Sequence, residues 1–299
     1  MPLATDDFLD IDDVTPAELD ALLDRAAAMK AGETDPRLGD ATLGMIFEKP
    51  STRTRVSFET GMTRLGGHAM FLGPDDIQLG HGEPLRDTAR VLGRYVDGVM
   101  ARLFDHEDVE ILAEYADCPV INGLTDEAHP CQTLADLLTI RETVGEDATV
   151  AWVGDGNNVG QSFVVGAAMA GLDVEVATPA DYGMNSAVFD RAGAFGLDVE
   201  PTTDPEAAIE GADVVYTDVW ISMGQEDVRD EKLAAFDGFQ VNADLLAGTD
   251  ASVMHCLPAH RGEEITDGVL ESDRALVWDQ AENRMHAQNA LLVELLGGE

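Results

Sequence analysis

The chain has 299 residues, of which 45% are hydrophobic and 25% are charged, a composition typical of a folded globular protein and too apolar for a disordered one. Its 58 acidic and 18 basic residues give a formal net charge of −40, which repels nucleic acids and anionic membrane surfaces. The length predicts two domains, and no apolar run is long enough to span a membrane.

The small number of lysines indicates the environment of the protein. Only three of the basic residues are lysines, and dispersed acid with so little lysine favours adaptation to high salt, where screening weakens self-repulsion. The alternative, a merely acidic mesophilic protein, is disfavoured because such self-repulsion would destabilise a compact fold in dilute buffer. The first residues, MPLATDDFLD, lack a signal-peptide pattern, and three cysteines at no framework spacing suit a reducing compartment, so we expect a cytoplasmic protein.

Strands and helices alternate along the first half of the chain. A capping box at Thr15–Glu18, with proline at the first helical position, predicts a helix that runs to Lys30. The apolar run at 41–47 predicts a buried strand, and a helix is expected from Arg53 to Leu65, before two glycines. Further predicted strands are HAMFL, VDGVMARLF and CPVINGL, with helices near 84–94, 106–115 and 130–144.

The alternation restarts after residue 148. TVAWVGDG at 149–156 predicts a strand that enters a glycine turn, followed by a helix from Asn158. The last helix is expected at 281–296. The predicted strands between them are LDVEVATP, ADVVYTDVW, GFQVNADLL and ASVMHCLP.

This order of elements predicts an α/β fold of two doubly wound domains, each a parallel sheet flanked by helices. We place the first domain at 1–144 and the second at 145–280. In open α/β sheets, ligands bind beyond the carboxyl ends of the strands. Residues that carry chemistry are therefore expected directly after strands.

The segment FEKPSTRTR at 47–55 predicts an anion site. A buried strand ends there, and hydroxyl residues and two arginines stand where a helix begins. Free backbone N–H groups and the positive end of the helix dipole favour an anion, and guanidinium groups suit phosphate. The alternative is a Ser/Thr helix cap with solvated arginines.

Three further segments follow predicted strands. Arg102 ends one strand, HPCQ at 129–132 precedes a helix, and HCLP at 255–258 follows another strand. Each also fits an ordinary structural role: a satisfied histidine, a small buried cysteine or a loop proline. A metal site built from His129, Cys131, His255 and Cys256 is a minor alternative, because neither pair has zinc-ligand spacing.

The glycine turn at 154–160 is a weak dinucleotide signal. Its third glycine comes one residue late for the G-x-G-x-x-G pattern, and the end of the next strand, ATPAD, gives no clear ribose-binding acid. The paired asparagines could instead hold a small polar ligand. Asp218, in DVWISMG, follows another strand, where its carboxylate can bind an ammonium group. The alternative is a tight turn that Asp218 caps.

Taken together, these segments closely resemble the aspartate and ornithine carbamoyltransferase family, and within it the ornithine enzymes. The likeness extends over essentially the whole chain, in the family's order. STRTR and HPCQ resemble the carbamoyl-phosphate motifs, while DVWISMG and HCLP resemble the ornithine branch. An aspartate enzyme would carry HPLPR in place of HCLP and a lysine in the loop at 77–83. A putrescine enzyme would lack the Ser-Met-Gly turn.

The resemblance implies carbamoyl transfer from carbamoyl phosphate to the side-chain amine of L-ornithine, giving L-citrulline and phosphate, in arginine synthesis or breakdown. It implies no metal or cofactor, a C-terminal helix at 281–299 that packs back on the first domain, and a homotrimer or a multiple of trimers with sites at subunit interfaces. The implied catalytic residues are Arg102, His129, Asp218 and Cys256. The implied carbamoyl-phosphate residues are Ser51, Thr52, Arg53, Thr54, Gln78 (from a neighbouring subunit), Arg102, His129, Gln132, Cys256, Leu257 and Arg284, and the ornithine residues are Asn158, Asp218, Ser222 and Met223.

Other functions stay open from the sequence. A carbamoyltransferase for an acetylated ornithine would share these motifs. A non-catalytic sensor of ornithine or carbamoyl phosphate is disfavoured, because STRT, HPCQ and HCLP are all intact. A nucleotide-dependent oxidoreductase would rest only on the imperfect glycine turn.

Overall fold

The computed structural model describes residues 3–33, 37–74, 77, 82–222, 224 and 226–297. The chain divides into two compact units, of which unit 1 comprises Met1–Leu138 with Asn283–Glu299 and unit 2 comprises Thr139–Glu282. The two boundaries between the units, 138/139 and 282/283, each fall inside a helix. The domain boundaries expected from the sequence, 144/145 and 280/281, stay a prediction.

Unit 1 contains a four-stranded parallel sheet in the order β2-β1-β3-β4. All residues of its third and fourth strands are buried, as expected where helices cover both faces of a parallel sheet. The strands are β1 (Thr42–Phe47), β2 (His68–Leu72), β3 (Gly98–Arg102) and β4 (Val120–Leu124). The helices of the first half of the chain are α1 (Pro16–Lys30), α2 (Thr52–Arg64), α3 (Leu85–Leu92), α4 (His106–Tyr115) and α5 (Pro130–Thr143), preceded by a 3-10 turn at Ile11–Asp13.

Unit 2 repeats the architecture with a parallel sheet in the order β6-β5-β7-β8. Its core includes Trp152, Phe163 and Tyr216, whose rings meet edge to face. The strands are β5 (Thr149–Val153), β6 (Asp173–Ala177), β7 (Val214–Thr217) and β8 (Ser252–His255). The helices of the second half of the chain are α6 (Asn158–Ala170), α7 (Ser186–Ala194), α8 (Pro205–Ala208), α9 (Arg229–Ala235), α10 (Asp267–Leu270) and α11 (Val277–Leu296), with a 3-10 turn at Glu226–Val228. The predicted fold class is confirmed.

The C-terminal helix returns to unit 1, as expected from the resemblance. Glu294 of α11 forms an ion pair with Arg25, with 2.6 Å between Arg25 Nη2 and Glu294 Oε1. A Cβ atom on Gly61 of α2 would lie only 2.1 Å from Asn289 Oδ1, so these two helices pack closely. Helix α11 begins at Val277, earlier than the predicted residue 281. No described helix is long and apolar enough to cross a membrane.

One predicted strand is wrong. The segment GFQVNADLL at 238–246 forms no strand and contributes only an isolated bridge between Val241 and Ile265. The side chain of Asn242 accepts hydrogen bonds from the N–H groups of Asp244 and Leu245, which turns the chain away from the sheet. Asparagine is typical of such turns because its side chain competes for nearby backbone donors.

The strand order places a topological switch point in each sheet, between β1 and β3 in unit 1 and between β5 and β7 in unit 2. The chain leaves the two central strands of each sheet toward opposite sides, which opens a crevice at their carboxyl ends. Glu48 follows β1 and Arg102 ends β3, while Gly154 follows β5 and Asp218 follows β7. Both groups of predicted site residues therefore begin at a switch point.

Candidate active site

The loop after β1 presents the beginning of α2. Ser51 is the N-cap of this helix, and its Oγ accepts a hydrogen bond from the N–H of Thr54 at 3.2 Å. The first turn carries no acidic residue; Thr52 is exposed there and Arg53 is half-buried. The turn therefore combines hydroxyl groups, a guanidinium and a helix N-terminus, which together suit a phosphate.

Arg102 lies beside this loop on the neighbouring strand. It is opposite Phe47, the last residue of β1, in the β1–β3 register, and its carbonyl accepts a hydrogen bond from the N–H of Glu48 at 2.9 Å. The register against β4 shifts between Ala101 and Arg102, and such an irregularity redirects a side chain at the end of a strand. Arg102 is buried, so its charge acts where solvent screens it little.

Arg284 of α11 brings three predicted residues of unit 1 together. Its guanidinium donates to Gln132 Oε1 at 2.6 Å, to Thr54 Oγ1 at 3.4 Å and to a His129 ring nitrogen, Nε2, at 3.4 Å. All four side chains are buried. Gln132 also donates from Nε2 to Asp136 at 2.7 Å, which fixes the orientation of its amide. The structure thus joins four of the predicted carbamoyl-phosphate residues in one hydrogen-bonded group.

His129 is held neutral in this group. Burial, and then the positive charges of Arg284, Arg102 and Arg53, lower the pKa of its imidazole well below the usual 6.5. An arginine has no acceptor, so His129 Nε2 accepts from Arg284 and the ring proton lies on Nδ1. The positive charge near His129 therefore lies on the arginines, and His129 itself is a neutral hydrogen-bonding group.

This pKa predicts a pH dependence of stability. Unfolded His129 takes up a proton below about pH 6.5 and native His129 does not, so acidification favours the unfolded state. We expect the free energy of unfolding of the wild type to fall by up to about 1.4 kcal/mol per pH unit more than that of His129→Gln as the pH falls below about 6.5. Urea unfolding in molar KCl from about pH 7.5 to about pH 5.5 measures both slopes. Parallel slopes would contradict the assignment of a neutral native imidazole.

Lys49, inside FEKPSTRTR, has a role that no local pattern in the sequence indicates. Its side chain is almost fully buried, pairs with Asp126 and lies 4.3 Å from the centre of the Phe104 ring. Because its ammonium is paired, Lys49 connects the loop after β1 to the loop after β4. A long-range pair of this kind leaves no local pattern in the sequence.

In unit 2, Asp218 accepts hydrogen bonds on both carboxylate oxygens. Asn157 Nδ2 donates to Oδ2 at 2.8 Å, and the Cys256 thiol donates to Oδ1 at 3.0 Å. The other end of the Asn157 amide caps α6 by accepting from the N–H groups of Val159 and Gly160. Asn157 therefore fixes Asp218 relative to the start of α6, a role that the sequence analysis missed.

The HCLP turn is fixed by its histidine. Nδ1 of His255 accepts from the N–H of Leu257 at 2.9 Å, so the ring proton lies on Nε2, which donates to Glu264 at 3.0 Å. Both side chains are completely buried. Leu257 has φ of 59°, a left-handed conformation that a branched side chain rarely adopts, and it precedes a cis peptide bond to Pro258. A leucine in the left-handed conformation is retained where the surroundings determine it strongly, which is typical of functional sites.

A buried ion pair joins the two loops of the unit 2 switch point. Lys232 Nζ donates to Asp155 at 2.7 Å and to the carbonyl of Trp220 at 2.8 Å. Burial raises the pKa of Asp155, and the Lys232 ammonium opposes that shift. The pair connects the glycine turn after β5 with DVWISMG after β7. No sequence pattern indicated it.

The glycine turn is explained by packing. A Cβ on Gly156 would lie 2.4 Å from the backbone of Gly183 and Met184, and a Cβ on Gly160 would lie 2.6 Å from the Trp152 ring. Both glycines are required by close contacts within unit 2. The late third glycine of the turn therefore needs no dinucleotide to account for it.

Gly156→Ala is expected to destabilise the protein by about 1–3 kcal/mol, because the added methyl group meets backbone atoms that cannot move alone. Thermal unfolding in molar KCl measures the change. Gly193→Ala is the matched control: it lies in α7, a Cβ there meets nothing within 4 Å, and alanine favours the helix. Equal effects of the two substitutions would contradict the packing explanation.

The remaining predicted residues are placed as follows. Asn158 is the first residue of α6 and is half-buried, as is Ser222, which follows Asp218 in the loop after β7. Gln78 and Met223 lie outside the described residues. Burial raises the pKa of the Cys131 thiol to about 12, and the thiol donates to a backbone carbonyl, which makes Cys131 a poor metal ligand.

Comparison with known proteins identifies the family. Residues 6–142 match the family described as "Aspartate/ornithine carbamoyltransferase, carbamoyl-P binding domain", and residues 146–295 match "Aspartate/ornithine carbamoyltransferase, Asp/Orn binding domain". The chain is 69% identical to an ornithine carbamoyltransferase of Haloquadratum walsbyi over 97% of each chain. It is similar to the structure of ornithine carbamoyltransferase from Pyrococcus furiosus, with a TM-score of 0.95, 50% identity and coverage of 100% and 99% of the two chains. The enzyme of that name from Thermus thermophilus gives a TM-score of 0.89 at 45% identity, covering 98% of this chain and 99% of that one.

These matches extend over both units and almost the full length of each relative. Four of the predicted residues form one hydrogen-bonded group in unit 1, and Asp218 and Cys256 are hydrogen-bonded in unit 2. The chain belongs to the aspartate/ornithine carbamoyltransferase family.

Proposed function

We propose that the protein transfers the carbamoyl group of carbamoyl phosphate to the side-chain amine of L-ornithine, giving L-citrulline and phosphate. The observation that carries this proposal is the 69% identity, over 97% of both chains, to a relative named ornithine carbamoyltransferase. The side-chain groups of the two units fit the two substrates. This relative comes from a halophile, Haloquadratum walsbyi, and the acidic composition of the chain is typical of a protein adapted to high salt.

Unit 1 supplies the donors for carbamoyl phosphate. Ser51, Thr52, Arg53 and Thr54 would bind the phosphate at the start of α2. Strong local positive charge is necessary here, because a chain with a net charge of −40 repels a phosphate from most of its surface. The same net charge attracts the cationic ornithine.

The carbonyl of carbamoyl phosphate would lie against Arg102, Thr54 and His129, with its amide on Gln132. As the amine attacks, negative charge develops on the carbonyl oxygen and on the leaving phosphate. Arg102 would stabilise this charge directly, and Arg284 would hold Thr54, His129 and Gln132 in place for the same purpose. These buried donors are already oriented, so little reorganisation accompanies the reaction.

Unit 2 supplies the groups for ornithine. Asn158, Ser222 and Met223 would hold the α-amino and α-carboxyl groups, and Asp218 would accept a hydrogen bond from the side-chain amine. That amine has an unperturbed pKa near that of lysine, about 10.4, and only its neutral form has a lone pair to attack with. Asp218 and Cys256, already joined by a hydrogen bond, would orient the amine and help to remove its proton.

The balance of the reaction is simple. The amine nitrogen forms a bond to the carbonyl carbon, the bond from that carbon to the phosphate oxygen breaks, and one amine proton leaves. Leu257, in its left-handed conformation beside Cys256, would present backbone groups to the reacting centre. We assign the catalytic roles to Arg102, His129, Asp218 and Cys256.

We further propose a homotrimer, or a multiple of trimers, in which Gln78 of one subunit completes the site of its neighbour. The proposal is supported by the family resemblance of the loop at 77–83. It predicts complementation: Gln78→Ala and Arg102→Ala proteins, each nearly inactive alone, should recover activity when their subunits are exchanged. A hybrid then contains a site with both wild-type residues. Subunit exchange without recovered activity would contradict a shared site.

The proposed function is tested by citrulline formation from ornithine and carbamoyl phosphate, with purified protein in molar KCl. Aspartate, putrescine and acetylornithine serve as parallel acceptors. Turnover with ornithine alone is expected. Turnover only with acetylornithine would identify acetylornithine as the acceptor substrate. No turnover with any acceptor, from folded protein, would favour a non-catalytic sensor of ornithine or carbamoyl phosphate.

A further inference from the structure

A second group of ligand-type side chains lies in unit 2 after the HCLP turn. Three potential ligand atoms, one from each of His260, Glu263 and Glu264, lie within 4.8 Å of one another. The His260 side chain is 41% exposed, the Glu263 side chain is 23% exposed, and Glu264 is completely buried. The cluster therefore extends from the interior to the surface, and a small ion can reach it from the side of His260.

The two carboxylates of this cluster are incompletely satisfied. Glu263 Oε2 and Glu264 Oε2 are both shielded from solvent, and neither has a hydrogen-bond partner in the part of the chain that the structure describes. Their other oxygens are engaged: Glu263 Oε1 pairs with Arg229, and Glu264 Oε1 accepts from His255 and from the N–H of His260. Glu263 Oε2 lies 3.8 Å from His260 Nδ1, beyond hydrogen-bond distance, so each carboxylate keeps one oxygen for a further partner. A buried oxygen without a donor is destabilising, and a bound cation would remove that cost.

The backbone that carries these ligands is held firmly. The side chain of Gln240 donates to the carbonyls of Gly262 and Glu263, each at 2.9 Å. The N–H of Val241 donates to the carbonyl of Glu264 at 2.8 Å. The ligands therefore project from a turn that is already fixed, which lowers the entropic cost of binding an ion.

We infer that His260, Glu263 and Glu264 form a binding site for one divalent transition-metal ion of the zinc type per chain. One imidazole nitrogen and two carboxylate oxygens are the ligands, and water completes the coordination. Ligand atoms about 2.0–2.2 Å from a common ion are about 3.4 Å apart. The ligand atoms here lie within 4.8 Å of one another, and His260 Nδ1 lies 3.8 Å from Glu263 Oε2, so small side-chain movements bring them to that spacing. The exposed His260 ring is free to make most of that movement.

The donor set decides the class of ion. An imidazole ligand favours zinc and its neighbours over magnesium or calcium, which prefer oxygen ligands alone. Two carboxylates with one arginine leave local negative charge, and a net charge of −40 adds a general attraction for cations. Glu264 also accepts a hydrogen bond from His255 Nε2 on its other oxygen, an arrangement that orients a ligating carboxylate.

The test is a calorimetric titration with zinc chloride, in molar KCl so that diffuse attraction to the acidic surface is screened. Because Asp218, His255 and Cys256 also bring ligand atoms within 4.8 Å of one another, the titration uses Cys256→Ser protein, which lacks the thiol. His260→Ala and Glu263→Gln are then introduced into this protein. The matched control is Glu210→Gln, an exposed glutamate of unit 2 outside the cluster.

We expect one zinc ion per Cys256→Ser chain, with affinity lowered at least about tenfold by His260→Ala and by Glu263→Gln and unchanged by Glu210→Gln. Circular dichroism confirms that each variant is folded. Binding that is insensitive to His260→Ala, binding that Glu210→Gln weakens equally, or no binding at all would each overturn the site.

Discussion

Arg102→Ala is expected to lower the turnover number by about 10²–10³-fold, while the apparent affinity for ornithine changes little. Arg102 is buried at the carboxyl end of β3, opposite Phe47, the last residue of β1, in the crevice where carbamoyl phosphate would bind. Its interaction strengthens as negative charge develops on the carbonyl oxygen, so its loss raises the barrier more than it weakens the ground state. Steady-state kinetics with ornithine varied at saturating carbamoyl phosphate measures both quantities.

The control for Arg102→Ala is Arg94→Ala, which removes an exposed arginine from unit 1 without touching the sheet. It separates the effect of removing Arg102 at its own position from the general effect of losing one positive charge from a chain that has only 18 basic residues. Equal effects of Arg102→Ala on turnover and on ornithine affinity would contradict the proposed role.

Asp218→Asn is expected to lower kcat/KM for ornithine by about 10²–10⁴-fold. The substitution keeps the shape of the side chain but removes the carboxylate that Asn157 and Cys256 orient. Without it, the amine loses both an acceptor for its proton and an electrostatic partner. The loss should be smallest at high pH, where more ornithine already has a neutral side-chain amine.

A pH profile of kcat/KM for wild type and Asp218→Asn distinguishes this role from a structural one. A purely structural defect would lower the profile by the same factor at every pH. Asp198→Asn, an exposed change of the same type in unit 2, is the control and should retain the wild-type profile. An Asp218→Asn profile parallel to the wild type would contradict the proposed proton transfer.

The fold could be predicted because local signals agreed with it. The capping box at Thr15, the glycines that end helices, and the alternation of apolar runs with amphipathic segments are local features, and the helices and most strands followed from them. GFQVNADLL was the exception: its apolar residues resemble a strand, but the Asn242 side chain forms a turn there. A local side-chain hydrogen bond decided against the apolar pattern.

Residue types and positions after strands indicated much of the candidate site, but not how its parts are held. Arg284 and His129 are far apart in the sequence, and only the return of α11 to unit 1 brings them together. The pairs of Lys232 with Asp155 and of Lys49 with Asp126 are equally non-local. Single-sequence patterns do not record such pairs, because each member alone resembles an ordinary surface residue.

The neutral state of His129 could not be predicted for the same reason. Its pKa depends first on burial and then on three arginines from separate segments of the chain, at positions 53, 102 and 284. The sequence gives the residue types, whereas the packing gives the dielectric environment and the distances that determine protonation.

The most direct test of the central claim uses carbamoyl phosphate labelled with ¹³C and ornithine labelled with ¹⁵N in its side-chain amine, incubated with the protein in molar KCl. We predict a product whose ¹³C signal is split by the adjacent ¹⁵N, with one phosphate released per product, because the carbamoyl carbon bonds to that nitrogen. An unsplit product signal, or phosphate release no faster than without the protein, would contradict the account.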